Sequence, residues 1–245
     1  MFRQFVYLSL VFAGVLSGAF AAEPELQPGE YVTERGWGTL TIELDQGQGS
    51  RFSISAVGAN GHVCDVEGNI KDGKAIPEHD NPDRPCVVGF LLKGQDIDVS
   101  ANDRSNCHRH CGARAQFLGL YLKPAPGCET KAIAGRREAF KRAYDQKSFS
   151  EARKILEPVL RLCIRTLDEI EEAWIRNDLA ITQYRLGEAT ACLETLRPLV
   201  AHAEKTEEQI HEERAPADAD NLYAVARAAR TNLRLCRNQL SKRAK

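Results

Sequence analysis

The hydrophobic period of this chain changes once, at Pro124-Ala125-Pro126-Gly127, and that change constrains its architecture more than any other feature. From Gly29 to about Lys123 apolar and polar residues alternate, as in Leu40-Thr41-Ile42-Glu43-Leu44 and Phe52-Ser53-Ile54-Ser55-Ala56-Val57. Residues two apart share one face of a strand, so each segment buries one side and exposes the other. Tyr31-Val32, Val63 to Val66, Cys86 to Leu92, Ile97-Asp98-Val99 and Ala115 to Leu122 extend the pattern. Gln46-Gly47-Gln48-Gly49, Asn60-Gly61, Asp72-Gly73 and Lys93-Gly94 supply turn chemistry between them. About eight short strands at this spacing predict an antiparallel barrel or sandwich over 23–123.

After the 124–127 linker the stripes are helical. Ile133, Arg137, Phe140 and Tyr144 share a face, as do Phe149, Ala152, Leu156, Val159, Leu160 and Cys163 beyond Gln146-Lys147-Ser148. Leu167 to Tyr184 marks a third helix and Ala189 to Val200 a fourth. Thr206 to Asp220, acidic and containing Pro216, reads as a long loop or frayed helix end. Leu222, Ala226, Ala229, Leu233, Cys236 and Leu240 define a last helix, so 128–240 is all-α, followed by a basic tail at 241–245. The expected class is therefore α+β with two domains.

Tyr144-Asp145-Gln146-Lys147-Ser148-Phe149-Ser150-Glu151-Ala152 has a counterpart forty residues later, Tyr184-Arg185-Leu186-Gly187-Glu188-Ala189-Thr190-Ala191-Cys192. The register continues through Leu156 and Leu196 to Pro158 and Pro198. The pattern of aromatic, turn and small residue resembles the tetratricopeptide helix-turn-helix unit, although that unit usually repeats at about 34 residues and carries its proline later. The resemblance implies a pair of stacked helical hairpins with a capping helix.

Met1 to Ala22 has the form of a secretory signal: Arg3, a mostly apolar Val6 to Leu16, and the small-x-small pattern Ala19-Phe20-Ala21. The expected product is periplasmic, without a membrane span, and its eight cysteines are read first as disulfides. Cys128 precedes the turn near Lys147 by about as far as Cys163 follows it, which pairs those two across an antiparallel hairpin. The same reasoning pairs Cys192 with Cys236. For Cys64, Cys86, Cys107 and Cys111 three pairings are open. Cys64–Cys86 with Cys107–Cys111 is the most local of them.

Cys107-His108-Arg109-His110-Cys111 concentrates metal-ligating side chains, with His62 near Cys64. Neighbours on an extended segment point to opposite faces and wrap an ion poorly, so this stretch is read as structural, with no metal or cofactor expected. Glu78-His79-Asp80-Asn81-Pro82-Asp83 lacks the spacing of a calcium loop and is read as a solvated turn stiffened by Pro82 and Pro85. No catalytic motif is present: His211-Glu212-Glu213 has no second histidine at helical spacing, and no nucleophile elbow or phosphate loop occurs. A formal charge of -1 argues against general nucleic-acid binding.

Asn60-Gly61-His62-Val63-Cys64 and the segment from Cys111 to Tyr121, with Gly112-Ala113-Arg114, resemble the bacterial periplasmic lysozyme inhibitors, which carry a Ser-Gly-x-x-aromatic loop on a β-barrel. Here Cys111 stands at the serine position and Ala115 at the aromatic one, so Arg114 is the side chain that retains a role, as a cation facing acidic catalytic groups. The resemblance implies a non-enzymatic protein that binds a muramidase or a peptidoglycan-cleaving toxin through Gly112, Ala113 and Arg114. The alternative is an envelope scaffold that binds partners through its helices.

Overall fold

A computed structural model describes residues 26–45 and 49–243. Residues 1–25, which include the segment read as an export signal, together with Gln46-Gly47-Gln48 and the last two residues of the basic tail, lie outside the described residues. The chain forms β1 (Gly29–Thr33), β2 (Gly38–Asp45), β3 (Gly49–Val57), β4 (Val63–Ile70), β5 (Lys74–Ala75), β6 (Val88–Lys93) and β7 (Asp96–Ala101). A short helix α1 (Arg104–Cys107) and β8 (Gly119–Leu122) follow. The helices after the sheet are α2 (Thr130–Asp145), α3 (Phe149–Leu162), α4 (Glu169–Arg185), α5 (Ala189–Leu196), α6 (Val200–Glu204), α7 (Glu207–Glu213) and α8 (Pro216–Arg243).

The eight strands form one antiparallel sheet in the order β4-β3-β2-β1-β8-β7-β6-β5. Consecutive strands are paired side by side except β4 and β5, which stand at the two ends of the order, and β1 pairs with β8, Val32 opposite Leu122. Along the seam between β4 and β5 Lys71 and Lys74 exchange backbone hydrogen bonds, and the Glu78 N–H donates to the Glu67 carbonyl at 2.9 Å. The sheet is thus a nearly closed barrel, an arrangement that leaves little exposed edge. Its interior is filled by alternate residues: Leu40 and Ile42, Phe52 and Ile54, Val88 and Phe90, Ile97 and Val99. Phe52 and Phe90 meet across the core with ring centroids 4.9 Å apart. Tyr121 is buried with its hydroxyl donating to the Phe117 carbonyl at 2.7 Å, and burial pushes its pKa well above the ordinary phenol range.

Two strand limits differ from the alternation. The sixth strand begins at Val88 rather than Cys86, because the Cys86 N–H donates to Asp80 and the Val87 N–H to Asn102 Oδ1 instead of to a neighbouring strand. Ala115 and Phe117 point into the core as expected, but ladder pairing begins only at Gly119. The two-residue β5 is too short to alternate legibly.

In the helical region the turns α2–α3 and α4–α5 carry the same hydrogen bonds at a forty-residue offset. The Lys147 N–H donates to Tyr144, Ser148 to Ala143 and Ala152 to Ser148; Gly187, Glu188 and Cys192 do the same with Tyr184, Gln183 and Glu188. Ala152, Cys192, Leu156 and Leu196 are all fully buried, as the repeat requires. The segment from Thr206 to Asp220, read as a long loop or frayed helix end, contains the ordered helix α7 and the start of α8. Thr206 and Gln209 close a reciprocal capping box, and Pro216 sits at the first position of α8, where its missing N–H is harmless. The fourth expected helix is broken: α5 ends at Leu196, a 3-10 turn spans Arg197–Leu199, and α6 resumes at Val200. Pro198 in this turn cannot donate to the helical ladder.

Disulfides join Cys128 to Cys163 and Cys192 to Cys236, the pairs that hairpin spacing selects. In the barrel the local pairing is overturned: Cys64 is bonded to Cys111 and Cys86 to Cys107. Cys107 ends α1, while Cys111 follows the 3-10 turn His108–His110 in extended conformation and bridges Cys64 of β4, so the two cysteines meet different partners: Cys64 on β4 and Cys86 just before β6.

Barrel and helices meet through specific side chains. The Glu30 carboxylate accepts from the Thr130 N–H at 2.7 Å and so caps α2, whose own N-cap residue Glu129 makes no side-chain cap. The Arg35 N–H donates to the Arg165 carbonyl, and Arg35 Nη1 reaches Glu172 Oε2 at 3.0 Å. Gly36, at φ 65°, lies so close to the helical region that a Cβ would stand 2.5 Å from the Asp168 nitrogen.

Candidate functional site

The Gly112-Ala113-Arg114 segment is a tight turn on the barrel surface, closed by the Ala115 N–H donating to the Gly112 carbonyl at 3.0 Å. Three contacts hold it. The Cys64–Cys111 disulfide fixes its start, and the Gly112 N–H donates to the Val63 carbonyl at 2.8 Å. On the other side its backbone lies directly on Gly58, where a Cβ would stand 2.0 Å from the Arg114 carbonyl oxygen. No other residue type fits there. At Gly112 a Cβ would meet only the His62 side chain, with Nδ1 at 2.6 Å, so there a shift of the imidazole could relieve the clash.

The turn is rigid in backbone and open in side chain. Ala113 and Arg114 are exposed, and the Arg114 guanidinium forms no ion pair or side-chain hydrogen bond among the described residues. Beside the turn stand Val57 and Val63, paired across β3 and β4 and 55% and 47% exposed. The turn's backbone is thus joined to both strands, at Val63 through the Gly112 N–H and at Gly58, the residue after Val57. Arginine is among the residues enriched at protein-contact centres.

The histidine-rich segment is built differently from its sequence-based expectation. Asp80, expected in a solvated turn, has only 3% of its side chain exposed. One oxygen accepts from the Cys86 N–H at 2.6 Å; the other lies 3.1 Å from His110 Nε2 and 3.7 Å from Arg109 Nη1. Burial pushes the Asp80 carboxyl up, but the Cys86 and Asn81 amides, His110 and Arg109 together outweigh it and hold the group below the usual carboxylate range. Arg109 also donates to the Asn106 and Arg84 carbonyls. His110 and Asp80 are thus committed to fastening the 78–86 segment to the stretch after α1, with no serine, threonine or cysteine thiol in their hydrogen-bond set. Among the described residues no group of three or more metal-ligating side chains converges.

A cleft of about 170 Å³ lies where Arg35 meets α4, α6 and α8. Its buried carboxylate, Glu172, is already held by Arg35 and by Arg176 Nε at 2.7 Å. This cleft fastens the barrel to the helices, a role no sequence signal announced. Among the described residues no helix is long and apolar enough to cross a membrane.

Compared with family models, curated proteins and solved structures, the chain matches none.

Proposed function

We propose that this chain is an exported, non-enzymatic protein-binding protein that inhibits or neutralises a cell-wall hydrolase, either a lysozyme or a delivered peptidoglycan-cleaving toxin. The observation that carries this is the Arg114 turn: a backbone held by Cys64–Cys111 and packed on Gly58 carries an exposed cation with no ion pair among the described residues. Such hydrolases work with paired carboxylates in a cleft. A preorganised guanidinium enters such a site with little further loss of freedom and gains about 1.5–3 kcal/mol against a desolvated carboxylate. The helical hairpins are of the tetratricopeptide type in this proposal and supply additional contact surface. Four disulfides suit an oxidising compartment such as the periplasm.

The test is inhibition of peptidoglycan hydrolysis by the mature chain against a panel of muramidases and envelope-targeting toxins. Wild type is expected to suppress one class, and Arg114→Ala to weaken suppression while keeping its melting temperature. A folded wild-type chain that inhibits and binds none of them removes the proposal.

A further inference from the structure

The two repeated hairpins differ at one position in a way their shared geometry does not require. The residue in the left-handed conformation is Gly187, at φ 80°, in the turn between α4 and α5; in the turn between α2 and α3 it is Lys147, at φ 59°. A side chain in that conformation costs about 1 kcal/mol or more relative to glycine. Local strain of this kind persists where something else selects the residue. The Lys147 ammonium is exposed and has no ion pair among the described residues.

Around it lies a notch of about 430 Å³ lined by Tyr144, Asp145, Lys147, Phe149 and Arg185. The Tyr144 and Phe149 rings meet edge to face with centroids 5.2 Å apart, and both remain half-buried. Arg185 is exposed, lies over the Tyr184 ring at 6.0 Å, and has no carboxylate partner among the described residues. The acid on the notch, Asp145, is already held by Lys141 Nζ at 2.7 Å. The first turn of α3 starts at Phe149 with no side-chain cap, which adds the positive end of a helix to the same corner. Glu151 in that turn stands 3.9 Å from Lys154 Nζ. The uncompensated charge of the notch is therefore positive, and its walls are aromatic.

We propose that this notch binds an acidic peptide, with a carboxylate seated between Lys147 and Arg185 and a neighbouring apolar side chain packed on the edges of Tyr144 and Phe149. It is a second protein-contact site, independent of the Arg114 turn. Lysine at the left-handed position is retained because the ammonium is used, whereas the α4–α5 turn, with no such use, carries glycine.

Fluorescence anisotropy with a labelled peptide of alternating Glu and Leu tests this on the mature chain. Its Lys-Leu counterpart and an oligothymidine serve as comparison probes. Wild type is expected to bind the Glu-Leu peptide in a salt-sensitive manner, and K147E/R185E to lose about tenfold or more in affinity. Lys147→Gly should weaken binding while raising the melting temperature, which separates a used charge from a misfolded notch; Arg114→Ala should leave it unchanged. Undiminished binding by folded K147E/R185E or by Lys147→Gly overturns the proposal, as does comparable affinity for the Lys-Leu peptide or the oligothymidine.

Discussion

Asn60 on the barrel and Asp218 at the start of α8 interlock: the Asn60 N–H donates to the Asp218 carboxylate at 3.0 Å, while Asn60 Oδ1 accepts from the Ala217 N–H at 3.1 Å. A helix start leaves backbone N–H groups without intrahelical partners, and here a residue from another element satisfies one of them. With Glu30 at the start of α2, barrel side chains cap two helices. The same 58–62 segment supports the Arg114 turn through Gly58, so α8, Asn60 and the candidate binding surface form one mechanical chain.

Replacing Asn60 by glycine isolates the cap, because Asn60 has φ 61° and glycine adopts that conformation freely. The expected loss is about 1 kcal/mol, with faster hydrogen exchange at the first turn of α8. Exchange that quickens in α2 instead, leaving α8 unchanged, would mean that the cap contributes nothing to the junction.

Gly36→Ala should be far more damaging than Gly94→Ala. Both glycines have positive φ, but nothing lies within 4 Å of a Cβ at Gly94, whereas at Gly36 it would meet the backbone of Thr166, Leu167 and Asp168. Conformation alone predicts about 1 kcal/mol for Gly94→Ala. At Gly36 the clash is with backbone and adds to that, giving a loss of roughly 3 kcal/mol or more by chemical denaturation. Equal losses at the two positions would show that the barrel and helices move apart easily.

Much of this architecture was legible because period-two and helical patterns report burial directly. Leu40, Ile42, Phe52 and Ile54 could be placed in a core, and the forty-residue repeat located two hairpins, from local sequence alone. What escaped was decided by partners distant in sequence. Nothing local marks Asp80 as buried, since its acceptors are occupied by Cys86 and His110 only once the barrel closes. The Cys64–Cys111 pairing likewise depends on where α1 turns the chain. For α7 the signal was present and was overridden by the acidic composition: Thr206-Glu207-Glu208-Gln209 is a capping box. The exposure of Arg114 followed from the turn, but Gly58 and the Val57–Val63 pair beside it required the strand register.

Asp80 makes barrel stability depend on pH. Its folded-state pKa is lowered, so its contribution is fully present above the ordinary aspartate value of about 4 and is lost as pH falls through the lower folded value. Asp80→Asn is expected to lower stability by about 2 kcal/mol at neutral pH, since a buried charge-assisted network loses its acceptor. The gap between variant and wild type should shrink below the ordinary carboxylate range. A gap that stays constant from neutral to strongly acid pH would place the effect in packing rather than in charge.

The disulfide framework of the barrel gives the most direct chemical test. Tryptic cleavage after Arg104, Arg109 and Arg114 separates Cys107 from Cys111. Under non-reducing conditions the peptide 105–109 should remain linked to the one containing Cys86, and 110–114 to the one containing Cys64. A linkage between 105–109 and 110–114 would instead restore the local pairing and release the Arg114 turn from β4. The energetic consequence follows from loop length: Cys64–Cys111 spans a sequence separation of 47, against 21 for Cys86–Cys107. Removing either with paired alanines should cost about 3–4 kcal/mol, slightly more for the longer loop. Only loss of Cys64–Cys111 should also loosen the Gly112–Ala115 turn, so the hydrolase inhibition proposed for Arg114 should fall with that pair and survive loss of Cys86–Cys107 in any variant that still folds.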